Sequence, residues 1–366
     1  MKNKNLTLSH TLYCGILAII VAIIVCVAAV AFFMATSVNV SALSIHQHQV
    51  QHQVTEQTWL FDSVGGRIIG QISPQTVTVL ETRGQWHLIE TWLGGLWIHE
   101  DYEAHLRQRR IETIARHQDE MLAEITAFLR PFYNDVSVHY ENLGSGFTFS
   151  SRGDVVYFAA SAAKLAFALY IYDKTERRLA SMDELITYTE LDHWEGSGVI
   201  RHRYNFGEQF NQRELLRLML VPSDNIATRL LRRMHGLSGF RDFIISIGGN
   251  PTLLHNVTYG ELTANEGGLF LREIYRYFNS GGVYSQEFAN NMLNNQYKFI
   301  ISSHPVASKT GWAANFGAAY HDLAIIKAPS PYSLAILSRF AGEPAERRIF
   351  EQISRFFEDF NRRWFE

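Results

Sequence analysis

The stretch Phe158-Ala-Ala-Ser161-Ala-Ala-Lys164-Leu-Ala-Phe-Ala-Leu-Tyr-Ile-Tyr172 constrains the fold more than any other part of the chain. It is apolar on nearly every side, which predicts a helix buried inside a domain rather than laid on its surface. Lys164 is the exception. A buried ammonium is strongly disfavoured, so this lysine either finds partners or gives up its proton, and a neutral lysine is a base. Ser161 precedes it by one turn on the same face, where i and i+3 side chains meet. A serine beside a base is the minimum requirement for an activated nucleophile.

The 366 residues, 47% hydrophobic and 19% charged, suffice for a large core plus a smaller module. The formal net charge of -3 selects no class of partner, and the absence of a basic stripe argues against nucleic acid. Residues 1–10 carry Lys2 and Lys4 and read as a cytoplasmic tail, while 11–35, from Thr11 to Ala35, form an uncharged apolar run long enough to cross a bilayer as a helix. The lysines before that run predict a single-pass anchor in the cell membrane, with the rest of the chain extracellular. A cleaved secretory signal would need a shorter apolar region and a small-residue site, for which Ser41-Ala-Leu-Ser44 is a weak match. Both cysteines, Cys14 and Cys26, fall inside the run, so neither a disulfide framework nor a cysteine metal cage is available beyond it.

Residues 36–54 read as a polar linker. Its His46, His48 and His52 lack the acidic or cysteine partners of a preorganised metal site. From 55 to 102 short β runs alternate with Gly-Gly, Ser-Pro and Arg-Gly turns, the pattern of a small barrel. The order Ile68-Ile-Gly70, Gly84-Gln-Trp86 and Gly95-Leu-Trp97-Ile98 resembles the bacterial SH3-like domain, and the resemblance implies attachment to cell-wall glycan or peptide. Trp59, Trp86 and Trp97 are each expected in its core. Residues 103–117 read as a linker helix. From 118 to 366, helix and hairpin come first, helices follow, and strands and a helix close the chain, an α+β layout in which one sheet draws strands from both ends.

Three motifs occur there in order: Ser161-Ala-Ala-Lys164, Ser223-Asp224-Asn225 and Lys309-Thr310-Gly311. S-x-x-K alone carries little information, but the ordered set, 62 and then 86 residues apart, is that of class A β-lactamases and penicillin-binding proteins. The flanks agree. Leu216 to Leu231 is similar to the family's helix, motif, helix passage, and Val306 to Gly311 followed by Tyr320 to Ile326 resembles its innermost strand and the next. The resemblance implies an antiparallel sheet flanked by helices plus an all-helical subdomain, with no cofactor and no metal.

The resemblance also implies roles. Ser161 would be the nucleophile and Lys164 the acylation base, its protonation opposed by a second cation, Lys309. Ser223 would relay a proton to the leaving nitrogen, and the backbone N–H of Trp312 would join that of Ser161 in an oxyanion hole. Asn225, Lys309, Thr310 and Gly311 would bind substrate, Lys309 and Thr310 through its carboxylate. For deacylation the candidate base is Glu261, which has the family's Glu-x-x-x-Asn separation to Asn265. Thr263-Ala-Asn-Glu266 runs directly into a helix, so either the loop is shortened and the glutamate lost, or Glu261 is displaced. Asp192-His-Trp-Glu-Gly-Ser-Gly198 is a candidate edge of the cleft, and His235, His255 and His321 read as solvated or core histidines. The expected function is a membrane-anchored serine hydrolase that forms an acyl-enzyme with a β-lactam or a peptidoglycan stem peptide. The alternatives are a true class A β-lactamase, and a non-enzymatic wall-binding or β-lactam-sensing protein.

Overall fold

The structure, a computed structural model, describes residues 50–55, 57–99, 103–252, 254, 260–314 and 318–366, with the side chains of 103–113 left aside. The expected membrane span at 11–35 lies outside them. Among the described residues no helix is long and apolar enough to cross a membrane.

Six short strands come first: β1 (Val50–Val54), β2 (Thr58–Phe61), β3 (Ile68–Ile72), β4 (Gln75–Arg83), β5 (Trp86–Thr91) and β6 (Gly94–His99). They form one antiparallel sheet in the order β1-β4-β5-β6-β2-β3. Leu60, Ile69, Ile72, Val77, Val79, Ile89, Leu96 and Ile98 make its core. Trp59 and Trp97 are buried in a second cluster, whereas Trp86 is half-buried at its margin. The strand β1 corrects the reading of 36–54 as linker throughout. Pairing of Val50–Val54 with Val79–Gln75 needs only backbone donors and acceptors, so a polar sequence without apolar periodicity can still supply an edge strand.

A single helix, α1 (Glu103–Leu129), then runs without a break through the expected linker helix. It is followed by β7 (Val136–Asn142), β8 (Thr148–Ser151), β9 (Tyr157–Phe158), a 3-10 turn at Ala160–Ala163 and α2 (Lys164–Glu176). The middle of the chain holds β10 (Leu185–Thr187), α3 (Ile200–Arg203), β11 (Gln209–Asn211), α4 (Gln212–Leu220), α5 (Asn225–His235), α6 (Ser238–Ser246), β12 (Glu261–Leu262), α7 (Ala264–Phe278) and α8 (Ser285–Leu293). The end supplies β13 (Val306–Ala313), β14 (Ala319–Ile326), β15 (Tyr332–Ser338) and α9 (Pro344–Phe365).

One five-stranded antiparallel sheet, β13-β14-β15-β7-β8, takes strands from both ends of this region, as the sequence predicts. Side chains alternate across it with period two. Tyr332, Leu334 and Ile336 of β15, with Val136, Val138 and Tyr140 of β7, face α1 and α9, where Tyr140 stacks on Phe357 at 4.9 Å. Leu323, Ile325, Ala335 and Leu337 face the opposite side and join the core built around α2, α4, α5 and α7. Helix α2 lies in the middle of that second layer, which is why Leu165 to Tyr172 is apolar all round.

Helix α7 reaches the sheet through two glycines. A Cβ on Gly267 would lie 2.8 Å from a Leu323 methyl, and one on Gly268 would lie 2.1 Å from the ring of the buried His139. Gly268→Ala is therefore expected to overpack this contact and destabilise the fold by about 1–3 kcal/mol, read as a lowered denaturant midpoint with an unchanged m-value.

Candidate active site

The turn that carries Ser161 is assembled from backbone. Phe158 pairs with Glu261 across β9 and β12, and the Ala159 N–H donates to Gly260 O at 2.8 Å. Ala160 follows with φ of +46°, a left-handed conformation that costs a residue bearing a Cβ about 1–2 kcal/mol. The chain then winds through the 3-10 turn into α2. The helix thus starts later than the apolar run implies, because Phe158 is committed to a strand and no side chain caps the alanine-rich entry. Ser161 is left in the first turn, half-buried, on the wall of a cavity of about 440 Å³ that Ser197, Ser223, Thr310 and Trp312 also line.

Lys164 is 2% exposed. Its Nζ donates to Ser223 O at 2.6 Å, Asn225 Oδ1 at 2.8 Å and Ser223 Oγ at 3.3 Å. Burial, and next the charge of Lys309, hold its ammonium well below the ordinary lysine range. Lys309 is fully buried, and its Nζ donates to the same Ser223 Oγ at 2.9 Å and to Thr310 O at 2.8 Å. Burial pushes Lys309 down to about 7, against the opposing pull of Asp322. One hydroxyl thus sits between two amines that both resist protonation.

Ser223 holds that place at φ of +59°, and Asp224 secures the turn behind it. One Asp224 oxygen caps α5 by accepting from Ile226 N at 2.8 Å and Ala227 N at 2.9 Å. The other accepts from Val199 N at 2.6 Å and Ile200 N at 2.9 Å, tying the Asp192–Gly198 loop to the motif. Asn225 completes the tie, its N–H donating to Ser197 O and its Nδ2 to Glu195 O, each at 2.9 Å. That loop does edge the cleft, through Ser197.

Strand β13 lies against the Ser161 turn because residue 311 has no side chain. A Cβ on Gly311 would be 2.6 Å from Ala159 O and 2.9 Å from Ala162 N. Trp312, 59% exposed, follows on the rim with its indole N–H donating to Ala341 O at 2.9 Å. Thr310 lines the cavity and is otherwise buried.

The structure brings Ser161, Lys164, Ser223, Asn225, Lys309, Thr310 and Trp312 to one place, with Gly311 packed behind. Glu261 is apart from them in one respect: it is exposed on β12 and does not line the cavity. Sequence reading missed the opposite wall, formed by Gln296, Tyr297, Lys298, Phe299 and Ile301 with Tyr320, Arg347 and Glu351. The segment has no regular secondary structure over 296–301 and no motif. It is held by Asp322, which accepts from Phe299 N at 2.8 Å and Ile300 N at 2.9 Å, and whose carboxyl burial raises to about 6.

A family model described as "Beta-lactamase enzyme family" matches residues 120–359. A β-lactamase from Sphaerobacter thermophilus is similar at 20% identity, covering 66% of this chain and 95% of that one with a TM-score of 0.56. PBP-A is similar at 18% identity, covering 64% and 97% with a TM-score of 0.56, and a PBP-A variant has been solved as an acyl-enzyme complex with penicillin G. The TLA-1 extended-spectrum β-lactamase is similar at 19% identity, covering 66% and 98% with a TM-score of 0.56. No curated protein matches by sequence.

Asp224→Ala would leave four backbone N–H groups without their acceptor. It is expected to cost about 2–4 kcal/mol of stability by chemical denaturation, more than an ordinary cap, because two of those donors belong to a separate loop.

Proposed function

The chain belongs to the β-lactamase enzyme family and is a serine hydrolase of the fold shared by β-lactamases and PBP-A; from that premise we propose that it forms an acyl-enzyme at Ser161 with a β-lactam or a peptidoglycan stem peptide and releases the acyl group slowly. The observation that carries the reading is the convergence of Lys164 and Lys309 on Ser223 Oγ beside Ser161. Neutral Lys164 accepts the Ser161 hydroxyl proton as Oγ attacks the carbonyl carbon, and the oxyanion is met by backbone N–H groups at the start of the helix and at Trp312. As the C–N bond breaks, Ser223 passes a proton to the leaving nitrogen and recovers one from the lysine pair. Cationic Lys309 and the Thr310 hydroxyl hold the substrate carboxylate, and Asn225 orients Lys164 and the substrate amide.

The cavity lining supports slow release. Its acidic member among the described residues is Glu351 on α9, and Glu261 is not part of it. The second reading, a true class A β-lactamase, is supported by the pairing of Glu261 with Phe158, three residues before the nucleophile. The surroundings complete the proposal. Residues 11–35 anchor the protein in the cell membrane with its N-terminus inside, the strands from 55 to 102 act as an SH3-like module on the cell wall, and 118–366 carries the extracellular chemistry. These rest on the sequence pattern.

Full-length protein incubated with fluorescent penicillin is expected to give a stable adduct that Ser161→Ala abolishes. Chromogenic cephalosporin is expected to turn over slowly, and equally slowly in Glu261→Ala. Rapid turnover lost in Glu261→Ala establishes the β-lactamase reading instead.

The two amines also predict a pH profile. The reactive form has Lys164 neutral and Lys309 charged, and the free protein's second-order acylation constant reports both. Since Lys309 titrates at about 7, that constant is expected to fall as pH rises through 7, approaching about tenfold per unit, and to fall again in acid as Lys164 takes a proton. A constant still rising at pH 9 would contradict the assigned charges.

A further inference from the structure

His321 is fully buried on β14, opposite Gly311 in the sheet register, and both ring nitrogens are used. Nε2 lies 2.9 Å from Phe158 O, and the Ser338 N–H approaches Nδ1 at 3.2 Å. A carbonyl only accepts and a backbone N–H only donates, so the ring is the neutral tautomer with hydrogen on Nε2 and a lone pair on Nδ1. Burial agrees, lowering its pKa to about 4. Tyr157 closes the pocket with an edge contact, ring centroids 5.7 Å apart.

Phe158 is the residue from which the chain enters the left-handed Ala160 and then Ser161. A non-glycine residue in that region persists only where its surroundings over-determine it. Pairing with β12 and the Ala159 N–H to Gly260 O bond hold one side of the turn, and the backbone at Gly311 presses on the other. The His321 bond links these two sides, since it spans from the β13–β14 sheet to the carbonyl that precedes the strain.

We propose that His321 is a positioning residue for acylation: by donating Nε2–H to the Phe158 carbonyl, while seated on the Ser338 N–H, it fixes the strained turn that aims Ser161 into the cavity. The role rests on Ser161 being the nucleophile. It touches neither substrate nor reacting atoms, so its loss acts on the chemical step and leaves the substrate-binding groups on β13 and α5 in place.

The test uses full-length protein and fluorescent penicillin, with labelling rates measured over a range of concentrations to separate the half-saturating concentration from the limiting acylation rate. His321→Leu removes both hydrogen bonds and fills similar space. It is expected to lower the limiting rate at least tenfold with the half-saturating concentration within threefold of wild type. His321→Gln, whose amide donates through Nε2 and accepts through Oε1, is expected to restore the rate to within threefold. His321→Asn, too short to span the gap, serves as the second deletion variant should the leucine variant fail to fold, and is expected to behave as the leucine variant does. A folded Leu or Asn variant that acylates at the wild-type limiting rate overturns the proposal, as does a glutamine variant no faster than them. Wild type that labels at Ser161 but is indifferent to residue 321 removes only the positioning role. Wild type that does not label, or labels equally in Ser161→Ala, removes the nucleophile assignment itself.

Discussion

Lys164 and Lys309 are both buried, and both donate to Ser223 Oγ. Two ammonium groups sealed from water around one hydroxyl repel each other and lose hydration, so the protein can hold them there only with at least one proton displaced. Much of the surrounding architecture keeps this arrangement from relaxing. Asp224 clamps the turn that carries Ser223, Asn225 binds Lys164 from the side, and Asp322 opposes the deprotonation of Lys309 from the neighbouring strand. In the proposed reaction the instability of the pair is also its chemistry, because a lysine denied its proton is a base.

Ser161 is placed by a different physics. Among the described residues, backbone pairing from β12, the bare Gly311 and the His321 bond confine the turn of Ser161, which contains one left-handed alanine. Strain of this kind is tolerated because several independent contacts specify the same conformation. Ser223 is held in the same way at φ of +59°, with the cap residue Asp224 as its anchor. Two strained residues, Ala160 and Ser223, thus lie on the two separate segments that bring Ser161 and Ser223 to the cavity.

The parts of this site that were legible in the sequence are those whose chemistry is local. Lys164 stood out because it contradicts its neighbours, and Ser223-Asp224-Asn225 and Lys309-Thr310-Gly311 are each three adjacent residues. The wall at 296–301 and the role of His321 were not legible. Phe299 and Ile300 are placed by a carboxylate 23 and 22 residues away, and His321 bonds to a carbonyl 163 residues earlier in the chain. Strand β1 escaped for a related reason, since an edge strand can be recruited through its backbone whatever its side chains.

By itself the sequence determined which residues the protein can use: the three ordered motifs, the strand runs at both ends of the hydrolase region and the helix apolar on all sides, each written in patterns of a few residues. Tertiary structure alone decided where the helix begins, that Glu261 lies on an exposed strand outside the cavity, and that one serine hydroxyl is shared by two amines. The reason is that these depend on distances between segments far apart in the chain, and such distances are set by how the layers pack rather than by any local preference.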